Sequence, residues 1–318
     1  MSKARELSQR AGVDGALSNR NKVINGSFRV DQRNSGAAVT LQSGYTVDRF
    51  RVHGPVANMF TVQKQSVGVR VTRNSSGANF GHFGTPLEQQ DMLPYVGQEV
   101  TVSFKARGSG TIAQQFNAVD TPSATSGTAT LIAEALPYNV TTSWQRFSFT
   151  FTMPSSLSYA CVYISLAQYG DAFMSNGAWI EFDEVQLEVG DTATPFEHRS
   201  YGQELALCQR FFWRLQGNST DQSLVCPAVI SGSAQARGML TLPVLMRAAP
   251  TIAEVSLEVL HNGNTAVASS LSSTLDETAY AIGLNIGADT GTPFITGQAA
   301  AIRLASSASA YIQADAEL

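Results

Sequence analysis

The sequence predicts an all-β protein with two β-domains, and three observations lead to this prediction. Short runs in which apolar and polar residues alternate recur along the 318 residues, as expected of half-buried strands. Clusters of Gly, Pro, Ser and Asn separate these runs, as in turns between antiparallel strands. A proline followed by a short amphipathic segment then divides the chain. We therefore predict a jelly-roll β-sandwich followed by a smaller C-terminal β-sandwich, with short helices at the N-terminus and at the inter-domain joint.

Residues 1–21 form the first predicted region, an N-terminal attachment arm. Its first half places apolar residues on one helical face, but a helix of about ten residues is too short to be stable alone in water. Its second half is a polar, glycine-spaced linker. We expect the arm to dock on another protein, with Lys3, Arg5 and Leu7 as attachment residues. The alternative is a frayed terminus.

Residues 22–200 form the second predicted region, the larger β-domain. Its alternating runs lie at residues 45–52, 59–65, 67–72, 99–107, 144–152, 159–166 and 178–189. Turn-forming clusters lie between many of them, for example at residues 74–77 and 121–127. Many short strands with turns between them indicate an antiparallel sandwich.

The last of these predicted strands changes phase part-way along. Ile180 and Phe182 fall on one side of a regular strand, whereas Val185, Leu187 and Val189 fall on the other. One extra residue would keep both sets on the core, which is the effect of a β-bulge. We therefore expect a bulge near Asp183.

The joint between the domains combines a helix breaker with a helical pattern. Pro195 interrupts any regular element before it, and residues 202–210 are predicted to form a short helix. Leu205 and Cys208 lie on the apolar stripe of this helix, while Glu204 can face water. We place the domain boundary between residues 200 and 201. The joint residues are expected to brace the two β-domains against each other and against neighbouring copies, without doing chemistry; they are Phe196, Glu197, His198 and Arg199.

Residues 201–318 form the third predicted region, a C-terminal β-sandwich that serves in oligomerisation. Its strands are predicted at residues 209–215, 223–230, 234–242, 252–260, 279–286, 299–304 and 310–316. A passage with two prolines at residues 243–250 cannot be a central strand. The region is rich in Ala and Ser and poor in charge, which favours a homo-oligomer over a monomer.

Charge and composition exclude several classes of function. The net charge of −4 gives no basic surface, so nucleic-acid binding is not expected. No stretch reaches the roughly 18 apolar residues of a membrane span, and no signal peptide follows Met1, so we expect neither. Only 14% of the residues are charged, which indicates either a component of an assembly or a surface rich in Ser, Thr, Asn and Gln.

The cysteines, histidines and short motifs provide no catalytic site. The three cysteines lack metal-ligand spacing and lie among apolar residues, which predicts buried thiols and an intracellular assembly environment. The four histidines are scattered. No G-x-S-x-G, Walker, H-E-x-x-H or G-x-G-x-x-G motif is present, so no cofactor is predicted and the protein is expected not to be an enzyme.

Two groups of residues are candidate binding sites. Glu181 and Asp183 belong to a dense carboxylate cluster that could hold a structural Ca²⁺; the alternatives are a solvated polar face and a catalytic carboxylate pair. Tyr45, Tyr95 and Tyr138 lie near turn signals, where their rings could stack on sugars. The two tryptophans in alternating strands, Trp144 and Trp179, are instead predicted to pack in the core.

Two stretches of the chain resemble segments of bacteriophage tail-fibre and related virion-surface proteins. The family opening, N-x-x-I-N-G-D-F-x-V-W-Q-R-G … Y-T-A-D-R-W, is similar to N-K-V-I-N-G-S-F-R-V-D-Q-R at residues 21–33 with Y-T-V-D-R-F at residues 45–50. Its closing segment, T-P-F-E-H-R-P-Y-G-E-E-L-A-L-C-Q-R-Y-Y, is similar to T-P-F-E-H-R-S-Y-G-Q-E-L-A-L-C-Q-R-F-F at residues 194–212. The chain departs from the family at Ser27, Asp31 and Phe50, which weakens any transfer of a ligand role to these positions.

The resemblance implies a jelly roll like those of carbohydrate-binding modules, a second β-domain, three-fold assembly and a place on the outside of a virion assembled in the host cytoplasm. The function expected from it is that of a non-enzymatic short tail fibre or receptor-binding protein acting in host adhesion. Its partners would be two further copies, other virion proteins through the arm, and host surface polysaccharide. Two alternatives stay open, a capsid decoration protein that stabilises the head and a depolymerase.

Overall fold

A computed structural model describes residues 19–75, 81–122, 129–170, 172–272, 281–289 and 294–318. The chain forms two compact units that divide between Glu204 and Leu205, with Leu318 grouped with the first unit. The predicted all-β class is confirmed. Within the described ranges the helical elements are α1 (Gln89–Met92), a 3₁₀ turn (Leu93–Tyr95) and α2 (Tyr201–Gln209). Residues 1–18 of the predicted attachment arm, with Lys3, Arg5 and Leu7, lie outside the described residues, whereas its last three residues, 19–21, are described.

The first unit is built from two antiparallel sheets. The strands are β1 (Val39–Leu41), β2 (Gly44–Tyr45), β3 (Arg51–His53), β4 (Phe60–Lys64), β5 (Val69–Arg73), β6 (Gly81–Glu88), β7 (Glu99–Gly108), β8 (Ile112–Thr121), β9 (Thr130–Val140), β10 (Gln145–Thr152), β11 (Cys161–Tyr169) and β12 (Trp179–Val189). Sheet I has the order β1-β4-β5-β12-β7-β10, and sheet II has the order β2-β3-β6-β11-β8-β9. The predicted run at residues 45–52 is two short strands with a turn between them. The strands β1, β6, β8 and β9 were not predicted.

Aromatic side chains from the two sheets meet in one core. Phe83 of sheet II lies 5.3 Å from Phe182 of sheet I, measured between ring centroids. Phe116 of sheet II stacks on Phe149 of sheet I at 4.7 Å. Because each sheet turns one apolar face to the other, the first unit is the predicted jelly-roll β-sandwich.

The bulge predicted in β12 is present. Asp183 pairs with Lys105 and Gln186 pairs with Ser103, so β12 advances by three residues while β7 advances by two. Glu184 has a φ of 50°, the left-handed conformation that commonly accompanies an extra residue. Ile180, Phe182, Val185 and Leu187 are all buried, as the sequence pattern required, and Val189 at the end of the strand is half-buried.

The segment at residues 21–28 packs on this bulge and satisfies its backbone. The Val185 N–H donates to the Gly26 carbonyl at 2.8 Å, and the Asn21 side-chain amide donates to the Val185 carbonyl at 3.1 Å. The Asn21 side-chain oxygen accepts from the N–H groups of Val23 and Leu187. The bulge frees these backbone groups from the ladder, and the opening motif supplies their partners.

Asn25 and Phe28 of the same segment also have structural contacts. The Asn25 side-chain amide donates to the carbonyls of Val30 and Asp48, each at 2.8 Å. Phe28 lies 4.4 Å from Phe50 in the core. The segment at residues 21–28 is therefore a packing motif in this fold, and Phe50, which it contacts, is fully buried.

The helix predicted at residues 202–210 is confirmed as α2, and it begins with a capping box. The Gln203 N–H donates to the Ser200 hydroxyl, and the Ser200 N–H donates to the Gln203 side-chain oxygen at 3.1 Å. The expectation that Glu204 faces water is wrong, because its side chain is buried. Glu204 accepts from the N–H of Asn25 at 2.5 Å and from Arg199 at 3.3 Å, so partners within the first unit draw it inward.

The second unit contains a closed barrel and a small sheet. The strands are β13 (Phe212–Gln216), β14 (Leu224–Gly232), β15 (Gln235–Thr241), β16 (Thr251–Val255), β17 (Leu257–His261), β18 (Asn264–Ser272), β19 (Ala281–Asp289), β20 (Ala299–Leu304) and β21 (Tyr311–Asp315). The barrel has the order β14-β15-β19-β18-β17-β20, and the three-stranded sheet has the order β13-β21-β16. No strand interrupts the described two-proline passage at residues 243–250, as predicted.

The C-terminal β-structure is thus a barrel where the sequence predicted a sandwich. Closure follows because β20 pairs with both β14 and β17. The single strand predicted at residues 252–260 is broken at Ser256, which has a φ of 59°. At this residue the chain leaves the small sheet as β16 and enters the barrel as β17.

All three cysteines are buried, as their apolar neighbours predicted. Burial raises the pKa of the Cys226 thiol to about 11. Neither described helix has the length and apolar character of a membrane-spanning segment.

Candidate functional site

The outer face of sheet II, turned away from the core, carries a row of polar residues. Register places Arg51 opposite Gly84, Gly84 opposite Ser165, and Ser165 opposite Asn117, across β3, β6, β11 and β8. Their neighbours in sequence, such as Ile164, point into the core, so period-two alternation turns this row outward. We call this surface the polar face; its residues are Tyr45, Arg51, His82, Asn117, Tyr163 and Ser165.

Residues of the polar face are buried to an unusual degree for the outer face of a sheet. The exposed fraction is 1% for Arg51, 3% for Ser165, and 7% for both Asn117 and Tyr163. Gly84 contributes to the close packing at the centre, because a Cβ there would lie 1.9 Å from the Ile164 carbonyl oxygen. Polar side chains on such a face are usually solvated, so these residues need another source of hydrogen bonds.

Several buried donors of the polar face lack an acceptor. Among the residues that the structure describes, none accepts from Nε or Nη1 of Arg51, Nδ2 of Asn117 or Oη of Tyr163. A buried donor without an acceptor costs about 1–3 kcal/mol. Burial raises the pKa of Tyr163, an effect partly offset by the positive charge of Arg51, so its hydroxyl stays protonated at neutral pH.

Neighbouring groups fix the orientation of these donors. The Asn117 side-chain oxygen accepts from the Ala135 N–H at 2.8 Å, which turns the Asn117 NH₂ group the other way. The Arg51 guanidinium lies 5.4 Å from the centroid of the Tyr45 ring, and Arg33 lies 5.1 Å from the same ring. The polar face thus presents oriented donors beside one aromatic ring.

Two histidines lie next to Arg51, on neighbouring strands. His53 pairs with His82, and the His82 Nδ1 lies 3.2 Å from the Ser165 hydroxyl. Burial, followed by the charge of His53, lowers the pKa of His82 to about 4. Burial and the charge of Arg51 also lower the pKa of His53. His82 is therefore neutral at pH 7 and completes the polar face without adding charge.

Replacing His82 by glutamine is expected to weaken the pH dependence of stability between about pH 6.5 and pH 4. The unfolded chain takes up a proton at His82 before the folded chain does, so the free energy of unfolding falls by up to about 3 kcal/mol as pH falls through this window. Asp183, whose pKa is raised to about 6 by burial, acts in the opposite direction. Urea denaturation of both proteins from pH 7 to pH 4 measures the difference. The same change in the free energy of unfolding with pH in both proteins would contradict the prediction for His82.

Of the three tyrosines proposed as ligand residues, only Tyr45 lies on the polar face. Its hydroxyl donates to the Leu318 carbonyl at 3.0 Å. The prediction for Tyr138 is wrong, because this residue lies in the core. Its ring centroid is 5.5 Å from that of Phe104, and its hydroxyl donates to the Leu166 carbonyl. Tyr95 is buried in the 3₁₀ turn, with the Lys22 ammonium 5.2 Å from its ring centroid.

The proposed cation site at Glu181 and Asp183 has protein partners of its own. The buried Glu181 carboxylate binds Arg70 and Arg107, each at 2.6 Å. Within the described parts of the chain, no three His, Cys, Asp or Glu side chains converge as metal ligands. Guanidinium groups thus neutralise Glu181 where a cation was predicted.

The same arginines correct the prediction for the two tryptophans. Arg70 lies 4.2 Å from the Trp179 ring centroid, and Arg107 lies 5.0 Å from that of Trp144. Both indoles are half-buried against arginine on the outer face of sheet I instead of lying in the core. The carboxylate between these arginines is satisfied, in contrast to the donors of the polar face.

The joint residues bind the beginning of the described chain. The Glu197 carboxylate accepts from the N–H groups of Asn19 and Asn21, at 2.5 and 2.8 Å. Arg199 donates to the carbonyls of Val23 and Asn21. Phe196 and His198 form an edge-to-face pair at 5.0 Å. These contacts lie within the first unit, and the bracing role against the second unit stays a prediction.

No family model and no curated protein matches this chain. Solved structures match about half of it. A structure described as CBM4 is 21% identical, with 52% of this chain and 98% of that chain covered and a TM-score of 0.33. The CBM22-1 xylan-binding domain from Paenibacillus barcinonensis Xyn10C is 13% identical, with 55% and 100% covered and a TM-score of 0.31. The enzymatically active domain of bacteriophage CBA120 tailspike protein 4 is 13% identical, with 54% and 21% covered and a TM-score of 0.35. These likenesses concern the fold alone.

Proposed function

We propose that this protein is a non-enzymatic adhesion protein that binds polysaccharide through the polar face. The observation that carries the proposal is the set of buried donors without acceptors on Arg51, Asn117 and Tyr163. Sugar hydroxyl, ring and glycosidic oxygens are acceptors, and a sugar ring can also pack on an aromatic side chain such as Tyr45. A ligand of this class would satisfy these donors, and because they are buried it would reach them only after neighbouring side chains move aside.

The composition of the polar face supports binding without catalysis. Most enzymes that hydrolyse glycosidic bonds use two carboxyl groups about 5–10 Å apart. The six residues of the polar face include no carboxylate, and the buried Glu181 on sheet I is held by two arginines. The proposal is therefore a binding protein in preference to a depolymerase.

The proposed setting is the surface of a phage virion, as a short tail fibre or receptor-binding protein. Its support is the resemblance of residues 21–33 and 194–212 to such proteins. Exposed apolar residues on adjacent barrel strands, Val229 on β14 and Met239 on β15, support assembly with further copies, and the proposed number of three copies comes from the resemblance. Three copies would turn weak polysaccharide contacts into avidity.

Replacing Tyr163 by phenylalanine is expected to weaken polysaccharide binding about 3- to 10-fold, the value of one neutral hydrogen bond. The matched control is Tyr169→Phe, which removes the same atom from the same strand. Tyr169 faces the core, so binding should not change. The measurement is binding of the full chain to immobilised capsular and O-antigen polysaccharides, with product analysis for new reducing ends.

Three results would contradict the proposal. They are the absence of binding to any polysaccharide of the panel, equal losses in both variants, and release of reducing ends. Gold-labelled antibody on purified virions tests the setting: tail labelling is expected, and capsid labelling would favour the decoration protein instead.

A further inference from the structure

Arg51 carries a charge that the described protein does not neutralise. Its side chain is 1% exposed, and no carboxylate among the described residues forms an ion pair with it. Nε and Nη1 also lack hydrogen-bond acceptors in the part of the chain that is described. Buried charges in proteins are normally paired, because loss of hydration costs several kcal/mol for each ion.

Arg49, Arg73 and Arg199 also leave Nε without an acceptor, but each of them donates to at least one oxygen of the protein, which Arg51 does not do within the described residues. Arg49 donates to the Pro86 carbonyl at 2.7 Å, and Arg73 donates to the Met174 carbonyl. Arg199 binds Glu204 and two carbonyls. Arg51 is held instead against the Tyr45 ring, and an aromatic face stabilises a cation without using its N–H donors.

The surroundings of Arg51 add positive charge. Arg33 lies on the same Tyr45 ring. The charge of Arg33 partly offsets the rise that burial causes in the pKa of Asp31, and Arg51 has no such effect on Asp31. The nearest titratable neighbours across the strands, His53 and His82, have lowered pKa values and are neutral at pH 7. The Tyr163 hydroxyl is a neutral donor. The groups around Arg51 therefore favour an anion and offer hydrogen bonds to it.

We infer that Arg51 makes the polar face selective for polysaccharides that carry carboxylate groups, such as those containing uronic acids. The inference rests on the proposed polysaccharide binding and specifies its ligand. A carboxylate accepts two parallel hydrogen bonds from a guanidinium, and its charge compensates the buried cation. The Asn117 and Tyr163 donors would then bind hydroxyl oxygens of the same or the next sugar.

The test compares each polysaccharide with its own carboxyl-reduced form, in which uronic acids have become neutral sugars. The panel contains capsular and O-antigen polysaccharides with and without uronic acids, and binding of the full chain is measured at constant salt. We expect the native uronic-acid polymers to bind at least 10-fold more tightly than their reduced forms. We expect Arg51→Gln to abolish that difference, so that the native and the carboxyl-reduced form of each polymer bind equally to this variant.

Two further variants control for general charge and for folding. Arg237→Gln removes an exposed arginine from the barrel and should keep the 10-fold preference. Arg51→Lys keeps the positive charge but loses the two-bond geometry, so it should show an intermediate preference even if Arg51→Gln is unstable.

The outcomes separate this inference from the proposed function. Equal binding of native and carboxyl-reduced polymers, or a preference that Arg51→Gln retains, would overturn the selectivity and leave polysaccharide binding standing. A preference for sulfated or phosphorylated polymers over uronic-acid polymers would overturn the carboxylate assignment. No binding to any member of the panel would overturn the proposed function itself.

Discussion

Alanine at position 26 is expected to destabilise the first unit by more than about 4 kcal/mol. A Cβ on Gly26 would lie 2.0 Å from the Val185 carbonyl oxygen and 3.1 Å from its carbon, both in the bulge of β12. Backbone on both sides of this contact is tied by hydrogen bonds, among them Val185 N–H to Gly26 O, so neither side can move away cheaply. The added methyl must therefore break the packing of residues 21–28 on the bulge.

Hydrogen exchange followed by mass spectrometry measures this effect separately in the two units. We expect peptides of β5, β7 and β12 to lose protection in Gly26→Ala, and barrel peptides to keep it, because their core is separate. Gly202→Ala is the control, since nothing lies within 4 Å of its Cβ and alanine favours a helix. If the Gly26→Ala variant were as stable as the Gly202→Ala variant, that result would contradict the close contact between Gly26 and the Val185 carbonyl.

Replacing Glu204 by alanine is expected to cost about 3–5 kcal/mol, because it leaves a buried arginine without its carboxylate. Glu204 and Arg199 have side-chain exposures of 7% and 10%, and their atoms approach to 3.3 Å. The substitution also removes the acceptor of the Asn25 N–H. Both interactions lie where residues 199–204 contact the segment at residues 21–28.

A double-mutant cycle with Arg199→Ala separates the pair from its surroundings. The double variant should be about 1–3 kcal/mol more stable than the sum of the single losses, because it no longer buries an unpaired charge. Glu134→Ala, at an exposed position of β9, should change the free energy of unfolding by less than about 0.5 kcal/mol. Strict additivity in urea denaturation would contradict a direct interaction between Glu204 and Arg199.

Local patterns in the sequence were sufficient for several elements. The alternating runs at residues 59–65, 99–107 and 144–152 correspond to β4, β7 and β10, because a strand with one buried face repeats every two residues. The phase change near Asp183 predicted the bulge for the same reason. The spacing of Leu205 and Cys208 predicted α2.

Other elements depended on contacts that no local pattern records. β8 contains two glutamines and an asparagine, β9 contains a proline, and neither alternates regularly. They become strands because β8 pairs with β11 and β9 pairs with β8 in sheet II. Closure of the barrel depends on β20 pairing with strands far away in sequence. Tyr138 lies near a turn signal, yet its position in β9 directs it into the core.

The candidate site shows the same division most clearly. Arg51 alternates with Phe50 and Val52, so the sequence by itself determined that it lies on the outer face of a strand. Only the tertiary structure decided that this face is buried and that Arg51, Asn117 and Tyr163 share it with unused donors. Period-two alternation specifies which way a side chain points, whereas burial and hydrogen-bond satisfaction depend on strands that are distant in sequence and adjacent in the sheet.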